Sequence, residues 1–368
     1  MSEPKLPQTR RVIETFGLKF LQKIKEYRYI CLFLHVKPDC DSYASVFALH
    51  KWLKNNFPKK KVIIWIEPAQ LTKNEKLLFH WTEKIKTKLP DEKLKESLGI
   101  IVDTPIQERV LSQKHTLCRE TIIIDHHPKM DLFSQLEFVN HSYSSTSEIL
   151  AELFLFLEEQ NEKYIFETHL SRYLYVGIIT DSNHLKDNVT PSTFYILWRI
   201  LSKGINRKSI NDLIVENSLD QKLFDQEVVK NIRITPNGLA FSIVTNRLLQ
   251  KYSIQDYLPA ISNLENIAGI EIWVIIIYDK SIKRWKCSIR SKELPIDNIA
   301  QQFKGGGHKK SAAVLFKHKW EYWELLNLLD DYLIKFGYAN SSGGEKFGRT
   351  YALPTYRKLS QKLNFRKS

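Results

Sequence analysis

Residues 29–41 decide the fold, and they read YICLFLHVKPDCD. The first six residues are apolar without a break, which is typical of a strand buried on both faces of a parallel sheet. The residues that follow are polar, with His35, Asp39 and Asp41 spaced as His-x3-Asp-x-Asp. The sequence therefore predicts a buried strand that ends in a loop rich in metal-binding side chains.

Three further short runs, rich in isoleucine and valine, repeat this strand pattern in the first half of the chain. They lie at residues 62–67, 99–103 and 121–125. Between the first two strands, residues 42–57 carry apolar side chains at helical spacing. This alternation of strand and helix predicts an α/β domain built on an open parallel sheet.

Polar side chains follow the ends of several of these apolar segments. They are Asp103 after the third strand, Asp125, His126 and His127 after the fourth, and Asp181 at the end of the apolar segment 173–180. In open α/β sheets, ligands bind in the loops at the carboxyl ends of the strands. We therefore expect these carboxylates and imidazoles to converge there.

Six of these side chains are candidate ligands for divalent metal: His35, Asp39, Asp41, Asp103, His126 and Asp181. Imidazole with carboxylates suits Mn²⁺, Zn²⁺ or Fe²⁺, and oxygen-rich sites favour Mn²⁺ or Mg²⁺. Six ligands are too many for one open catalytic ion, so we expect two ions about 3.5–4 Å apart that share one carboxylate. Burying so many carboxylates without a cation would be opposed by repulsion and desolvation.

The second half of the chain predicts a smaller α+β domain. Strands are expected at residues 238–245, 271–278 and 285–290, and helices at 248–257, 296–303 and 320–336. We place a first domain at 1–216, a linker with a spacer helix at 217–236, the second domain at 237–340 and a basic tail, disordered at its start, at 341–368.

Composition limits the classes of protein. The chain has 368 residues and a net charge of +14, which fits either a polyanion partner or general lysine richness. It lacks an apolar run of the roughly 20 residues that a membrane helix needs and an N-terminal secretory pattern. Four scattered cysteines without a CxxC pair fit a reducing compartment, so we expect a cytoplasmic protein with no membrane partner.

The motifs resemble those of the DHH phosphoesterases, a family named for the triplet that stands here at residues 125–127. The motifs of the first domain occur in the family's order, and the segment 144–148 resembles the one that follows the triplet. In the second domain, residues 288–291 (SIRS) and 305–313 (GGGHKKSAA) resemble the DHHA1 domain. The likeness covers about residues 18–335 and is greatest to bacterial oligoribonucleases and pAp phosphatases, the nano-RNases.

The resemblance implies a role for each matched position. His35, Asp39 and Asp103 would hold one Mn²⁺, and Asp41, Asp103, His126 and Asp181 the other. Asp125 would orient an imidazole ligand, and His127 would face the substrate phosphate. The second domain would contribute, across a catalytic cleft, substrate-binding and catalytic residues: Arg290, Ser291, Gly305, Gly306, Gly307 and His308.

The resemblance implies an Mn²⁺-dependent phosphodiesterase that converts very short RNA or DNA oligonucleotides to nucleoside monophosphates, with pAp as a second substrate. Three alternatives stay open: hydrolysis of linear or cyclic dinucleotide messengers, single-strand DNA exonuclease activity, and nucleic-acid binding without catalysis. A homodimer is one option for the assembly. The chain departs from the family at Cys40, between two ligand aspartates where glycine is common, and at Lys304, where a glycine run often begins.

Overall fold

The strand that begins the first motif, Tyr29–Phe33 (β1), lies inside a parallel sheet of five described strands. The structure is a computed structural model and describes residues 9–82, 84–128, 133–254, 257–280, 282–337 and 351–354. The sheet order is β2-β1-β3-β4-β5. The other strands are β2 (Lys61–Trp65), β3 (Ser97–Val102), β4 (Glu120–Asp125) and β5 (Leu136–Val139).

Both faces of this sheet are buried, as the unbroken apolar runs predict. Alternate residues of β1 point to opposite faces, because the side chains of a strand have a period of two. Ile30 and Leu32 belong to the main core, whereas Cys31 and Phe33 belong to a smaller cluster on the other face. All four are fully buried.

Helices of the first unit supply most of the main core. They are α1 (Thr9–Glu26), α2 (Cys40–Asn56), α3 (Lys73–Leu78), α4 (Asp91–Leu94), α5 (Thr146–Gln160), α6 (Thr168–Asp181), α7 (Pro191–Ser202) and α8 (Arg207–Val215). The expected helix at residues 42–57 is α2, and the apolar segment 173–180 is the second half of α6. Helix α1 and strand β5 are elements that the sequence patterns did not predict.

The chain divides into two compact units, Met1–Glu216 and Asn217–Ser368. The second unit begins with α9 (Leu219–Lys230), the helix expected in the linker. Phe224 and Val228 of α9 are buried in a core cluster with residues of the second sheet, including Ala240 and Ile275. This helix is therefore packed into the second unit.

The second unit contains a mixed sheet of six described strands in the order β10-β11-β9-β8-β7-β6. Its strands are β6 (Arg233–Ile234), β7 (Leu239–Val244), β8 (Ile272–Asp279), β9 (Arg284–Ser291), β10 (Gly306–His308) and β11 (Ser311–Phe316). Its other helices are α10 (Asn246–Lys251), α11 (Asp297–Gln302) and α12 (Lys319–Lys335). The helix expected at 248–257 was too long, because α10 ends at Lys251.

Part of the expected tail packs on the second unit. The amide of Tyr351 donates to the carbonyl of Ile234, and the Tyr351 ring lies 4.8 Å from the Arg233 guanidinium carbon. Tyr351 and Leu353 pack against the core cluster of the second unit that includes Phe241. Residues 338–350 and 355–368, on which most of the tail prediction falls, lie outside the described residues.

Two further observations concern the whole described chain. Its cysteines, Cys31, Cys40, Cys118 and Cys287, are free thiols, as their spacing predicts. Among the described residues, every helix is too short or too polar to span a lipid bilayer.

Candidate active site

The candidate site lies where the connections of the first sheet change direction. From β1 the chain passes to β2 on one side, and it then returns to β3 on the other side of β1. A sheet with this order leaves a crevice beyond the carboxyl ends of the two central strands, and ligands bind in such crevices. Asp103 directly follows β3, and His35 lies two residues beyond the end of β1, so both lie at this position.

His35 brings two carboxylates together at the end of β1. Its Nε2 lies 3.6 Å from Asp39 Oδ2 and 3.4 Å from Asp103 Oδ2. Its Nδ1 donates to the carbonyl of Val36 at 2.8 Å, which leaves the lone pair of the neutral imidazole on Nε2. Nε2 of His35 is thus free to coordinate a cation together with the two carboxylates.

Asp103 links two imidazoles through its two oxygens. Oδ2 faces His35, and Oδ1 lies 3.5 Å from Nε2 of His126. The residue is buried and adopts a left-handed backbone with φ of 62°, a conformation that non-glycine residues rarely adopt. Such backbone strain is concentrated at functional sites.

A second group of side chains meets around His126. Its Nε2 lies 3.3 Å from Asp181 Oδ2 at the end of α6. Ligand atoms of Asp41, His126 and Asp181 all lie within 4.8 Å of one another, as do those of His35, Asp39 and Asp103. The structure therefore brings together all six candidate metal ligands.

Asp41 is held by the start of helix α5. Its Oδ2 accepts from the amide of Thr146 at 2.8 Å, and its Oδ1 accepts from the amide of Ser147 at 3.0 Å. The Thr146 hydroxyl also donates to Asp103 Oδ1 at 3.2 Å. Since the first amides of a helix lack partners within the helix, this carboxylate satisfies two of them. Thr146 and Ser147, the first two residues of α5, thus fix two candidate ligands, Asp41 and Asp103.

Gly177 makes the close approach of α6 to this group feasible. A Cβ at this position would lie 2.6 Å from Asp41 Oδ1 and would collide with the Ser147 hydroxyl. Glycine in a helix interior costs about 1 kcal/mol relative to alanine. That cost is a sequence signal for tight packing, but Gly177 was not among the predicted site residues.

Asp125 orients an imidazole, and in the structure this imidazole belongs to His127. Asp125 Oδ1 accepts from His127 Nδ1 at 2.8 Å. The other oxygen, Oδ2, is buried and has no hydrogen-bond partner among the described residues. His127 Nδ1 also lies 3.7 Å from Asp103 Oδ1, so His127 joins Asp103 and His126 in a third group of potential ligands.

The electrostatics of the site show carboxylates in excess. Burial and the charge of Asp39 raise the pKa of Asp41 to about 6, and burial and the charge of Asp41 raise the pKa of Asp181 to about 8. Burial lowers the pKa of His35, but Asp103 and Asp39 outweigh it and raise the pKa to about 10. A bound cation would relieve the repulsion among these carboxylates, so the residues fit a divalent metal site.

The second unit contains the predicted substrate residues, which lie on β9, on β10 and, for Gly305, directly before β10. The Ser291 hydroxyl is already engaged, because it donates to the Leu294 carbonyl at 2.6 Å. Arg290 is partly buried, and Nη1 donates to the carbonyl of Ile289. The backbone of His308 pairs with Ser311, and the His308 side chain lies outside the described part of the chain.

The glycine run has a packing role in the second sheet. Gly306 and Gly307 pair with Ala313 and Ala312 of β11, so residues 306 and 307 form a strand. A Cβ at Gly305 would collide with the Ala313 carbonyl, and one at Gly307, whose φ is 147°, with the Ser311 carbonyl. By contrast, a Cβ at Gly306 would meet open space. Close backbone approach therefore explains two of the three glycines.

Comparisons with known proteins identify the domains of the chain. The family model described as "DHH family, N-terminal domain" matches residues 29–178, and the DHHA1 domain model matches residues 242–335. A solved structure of an exopolyphosphatase-related protein from Bacteroides fragilis aligns with a TM-score of 0.74 at 19% identity, covering 90% of this chain and all of that chain. This likeness supports the fold.

Two curated relatives extend the match. An uncharacterised protein of Mycoplasma genitalium is 36% identical over 321 residues, which is 87% of this chain and 96% of that protein. The Bifunctional oligoribonuclease and PAP phosphatase NrnA of Bacillus subtilis is 27% identical over 293 residues, 79% of this chain and 90% of that enzyme. The chain therefore belongs to the DHH family of phosphoesterases, with a DHH domain in its first unit and a DHHA1 domain in its second.

Proposed function

We propose that the protein is a phosphodiesterase that hydrolyses very short oligonucleotides to nucleoside monophosphates, and that it also removes the 3′-phosphate of pAp. The observation that carries this proposal is a pair of ligand groups at the carboxyl end of the sheet, His35 with Asp39 and Asp103, and Asp41 with His126 and Asp181. Asp103 links them, because its oxygens face both His35 and His126. The names of relatives such as the Bacillus subtilis enzyme support the choice of substrates.

In this proposal two divalent ions, Mn²⁺ by the family resemblance, occupy the site. His35, Asp39 and Asp103 would hold one ion, and Asp41, Asp103, His126 and Asp181 would hold the other. When bound, such ions polarise phosphoryl oxygens and lower the pKa of water, so that hydroxide is available near neutral pH.

The protein residues keep this arrangement rigid. Each oxygen of Asp103 faces a different imidazole, at 3.4 Å from His35 and 3.5 Å from His126, as a bridging carboxylate requires. Thr146 and Ser147 hold the two central carboxylates by hydrogen bonds, so their orientation is set before substrate arrives. This preorganisation supports catalysis, since the ligands need little rearrangement during the reaction.

His127 is the proposed contact to the substrate phosphate. Asp125 accepts a hydrogen bond from Nδ1 of His127, which keeps a proton on that atom and fixes the plane of the ring. Nε2 is then left to face the phosphate, and it donates to a phosphoryl oxygen when the ring is protonated. In the second unit, Arg290, Ser291, Gly305, Gly306, Gly307 and His308 stay predicted substrate residues.

The function is tested with a panel of substrates. The full chain is stripped of metal with a chelator and supplied with Mn²⁺, Mg²⁺ or Zn²⁺, and initial rates are measured on pAp, the dinucleotide pApA, cyclic dinucleotides, and RNA and DNA of 5 to 24 nucleotides. We expect activity only with divalent metal, monophosphate products, and rates that fall steeply beyond a few nucleotides.

Other outcomes of this panel would overturn the proposal. A preference for cyclic dinucleotides would assign the protein to messenger hydrolysis, and undiminished rates on 24-nucleotide DNA would assign it to strand degradation. Tight binding of the oligonucleotides without turnover under any metal would make it a nucleic-acid-binding protein.

A further inference from the structure

A basic groove lies at the opposite end of the first sheet from the candidate site. It has a volume of about 710 Å³, and its lining includes Lys25, Arg28, Lys59, Lys60 and Lys163. Arg28 directly precedes β1, whereas His35 lies just beyond its other end. At about 3.3 Å per residue, the six residue steps from Tyr29 to His35 span about 20 Å. We call this basic groove the amino-end groove.

The positive charge of the amino-end groove is not neutralised by protein carboxylates. Lys25, Arg28, Lys59 and Lys163 are exposed, and each lacks an ion-pair partner among the residues that the structure describes. The one acidic residue in the lining, Glu26, accepts hydrogen bonds from Gln22 at 3.0 Å and Lys23 at 3.2 Å. Four cations therefore stand free around one concave surface.

Helix ends account for where these cations lie, but not for their lack of acidic partners. Lys25 lies in the last turn of α1 and Arg28 two residues beyond it, where cations are favoured by the helix dipole. Lys59 and Lys163 each lie three residues beyond the end of a helix, α2 and α5. Lys60 has a structural role, since its ammonium donates to the carbonyls of Lys25 at 3.1 Å and Tyr27 at 2.5 Å.

The groove also offers an aromatic surface. The Phe57 ring is partly exposed within the lining, and the Lys60 ammonium lies 5.8 Å from its centroid. A neighbouring groove of about 500 Å³ shares Tyr27 and Arg28 and adds the Tyr29 ring. Free cations beside aromatic rings along an extended surface are the combination that binds single-stranded nucleic acid.

The neighbouring groove is a weaker candidate for binding an anion, because carboxylates line it beside its cations. In the neighbouring groove Lys93 pairs with Glu96 at 3.3 Å, and the Glu120 carboxylate is held by Lys23 at 2.7 Å. Its charges are therefore mixed. In the amino-end groove five cations face one acid that is already bonded.

We propose that the amino-end groove binds the backbone of single-stranded RNA that is too long to be a good substrate, with phosphates on the four free cations and a base against Phe57. The inference goes beyond the proposed function, because this surface lies about 20 Å from the candidate site and does not require hydrolysis. The protein would thereby be held on RNA whose short fragments it hydrolyses.

The test compares two variants with four charge reversals each. One carries Lys25→Glu, Arg28→Glu, Lys59→Glu and Lys163→Glu, and it leaves Lys60 in place because of its structural bonds. The matched control carries Lys222→Glu, Lys317→Glu, Lys319→Glu and Lys335→Glu, all at exposed positions of the second unit. Fluorescence anisotropy measures binding of a 20-nucleotide oligouridylate with phosphorothioate links, which slow hydrolysis, across a range of salt concentrations.

We expect the groove variant to bind at least tenfold more weakly than the wild type and the control. Because each phosphate contact on a single strand contributes about 0.7 to the salt slope, the slope should fall by about 3. Hydrolysis of pApA should stay at the wild-type rate, which shows that the variant is folded. If the protein hydrolyses nothing, this binding result still stands, so failure of the proposed function is distinguishable from failure of this inference.

Two results would overturn the inference. Equal losses in the groove variant and the control would show that binding follows net charge alone. Inorganic polyphosphate that competes as well as an RNA of the same phosphate number, together with unchanged RNA binding by Phe57→Leu, would identify the surface as a general polyanion site. Tighter binding of RNA than of polyphosphate, lost in Phe57→Leu, would support the inference.

Discussion

The two ends of the first sheet differ in charge, burial and bonding. At the carboxyl end, Asp41 and Asp103 are buried, and their oxygens accept hydrogen bonds from the start of α5. At the amino end, Lys25, Arg28 and Lys59 are exposed and unpaired among the described residues. Metal binding at the carboxyl end would depend on the exact positions of the ligand atoms, whereas RNA binding at the amino end would depend on the number of positive charges. Single substitutions should therefore have large effects at the first and small effects at the second.

The largest effect is expected for Asp103→Asn, which keeps the shape of the side chain but removes the charge that faces His35 and His126. Initial rates of pApA hydrolysis in Mn²⁺ should fall by more than the ~10–100-fold that loss of an outer partner costs. The matched variant at the amino end, Lys59→Glu, should stay within about twofold of wild type on this short substrate. A loss below tenfold for Asp103→Asn would contradict the bridging role.

Gly177→Ala should have the next largest effect, because the added methyl group would push Ser147 and Asp41 from their positions. We expect ~10–100-fold weaker metal binding and a free energy of unfolding lower by about 1–3 kcal/mol. Calorimetric titration with Mn²⁺ and denaturant unfolding measure these two quantities.

Gly17→Ala in α1 is the matched control for Gly177→Ala. A Cβ at Gly17 would contact the flexible side chains of Leu153 and Phe156 at 3.0 Å, away from the candidate ligands. Metal affinity should be unchanged in this control. Equal metal affinity in both variants would show that Gly177 has only a packing role.

A smaller effect is expected for Asp125→Asn. The amide oxygen can still accept from His127 Nδ1, but without the negative charge that strengthens this hydrogen bond. We expect hydrolysis of pApA to fall about tenfold, because the ring is held less firmly. Asp187→Asn, at an exposed carboxylate, is the control. A kcat/KM equal to that of the Asp187→Asn control would show that the charge of Asp125 does not matter for His127.

The sequence predicted the site better than it predicted the supporting structure. Apolar runs with polar ends located β1, β3 and β4, and a parallel sheet necessarily brings the carboxyl ends of neighbouring strands together. That is why His35, Asp103 and His126 were predicted to meet. These residues lie within two residues of a strand end, so only the fold class was needed to place them.

The residues that support the site could not be predicted, because their roles depend on tertiary contacts that no local sequence pattern encodes. The role of Thr146 and Ser147 as donors to Asp41 follows from how α5 approaches the sheet. Gly177 is required only because α6 packs closely on those same atoms. Strand β5 was missed because it is short and only Phe138 of its four residues is buried, which leaves a weak pattern.

The smallest expected effect is a change in the stability of the metal-free protein with pH. It should depend on the carboxyl end of the sheet and not on the amino end. The pKa of Asp181 is raised to about 8 by burial and by the charge of Asp41. A group whose pKa is raised on folding stabilises the fold at low pH, and this contribution is lost as the pH rises through the folded pKa. Between pH 7 and 9 the metal-free protein should lose about 1 kcal/mol from this group, or a few degrees in Tm.

The comparison that isolates this contribution is Asp181→Asn, in which the loss between pH 7 and 9 should be absent, while Lys59→Glu at the amino end should keep it. Saturating Mn²⁺ should also remove it in the wild type, because a bound cation favours the charged carboxylate at every pH. Thermal unfolding followed by circular dichroism gives Tm against pH for four samples. They are the metal-free wild type, metal-free Asp181→Asn, metal-free Lys59→Glu, and the wild type with saturating Mn²⁺. Equal slopes for wild type and Asp181→Asn would mean that the raised pKa of Asp181 does not govern the stability of this end of the sheet.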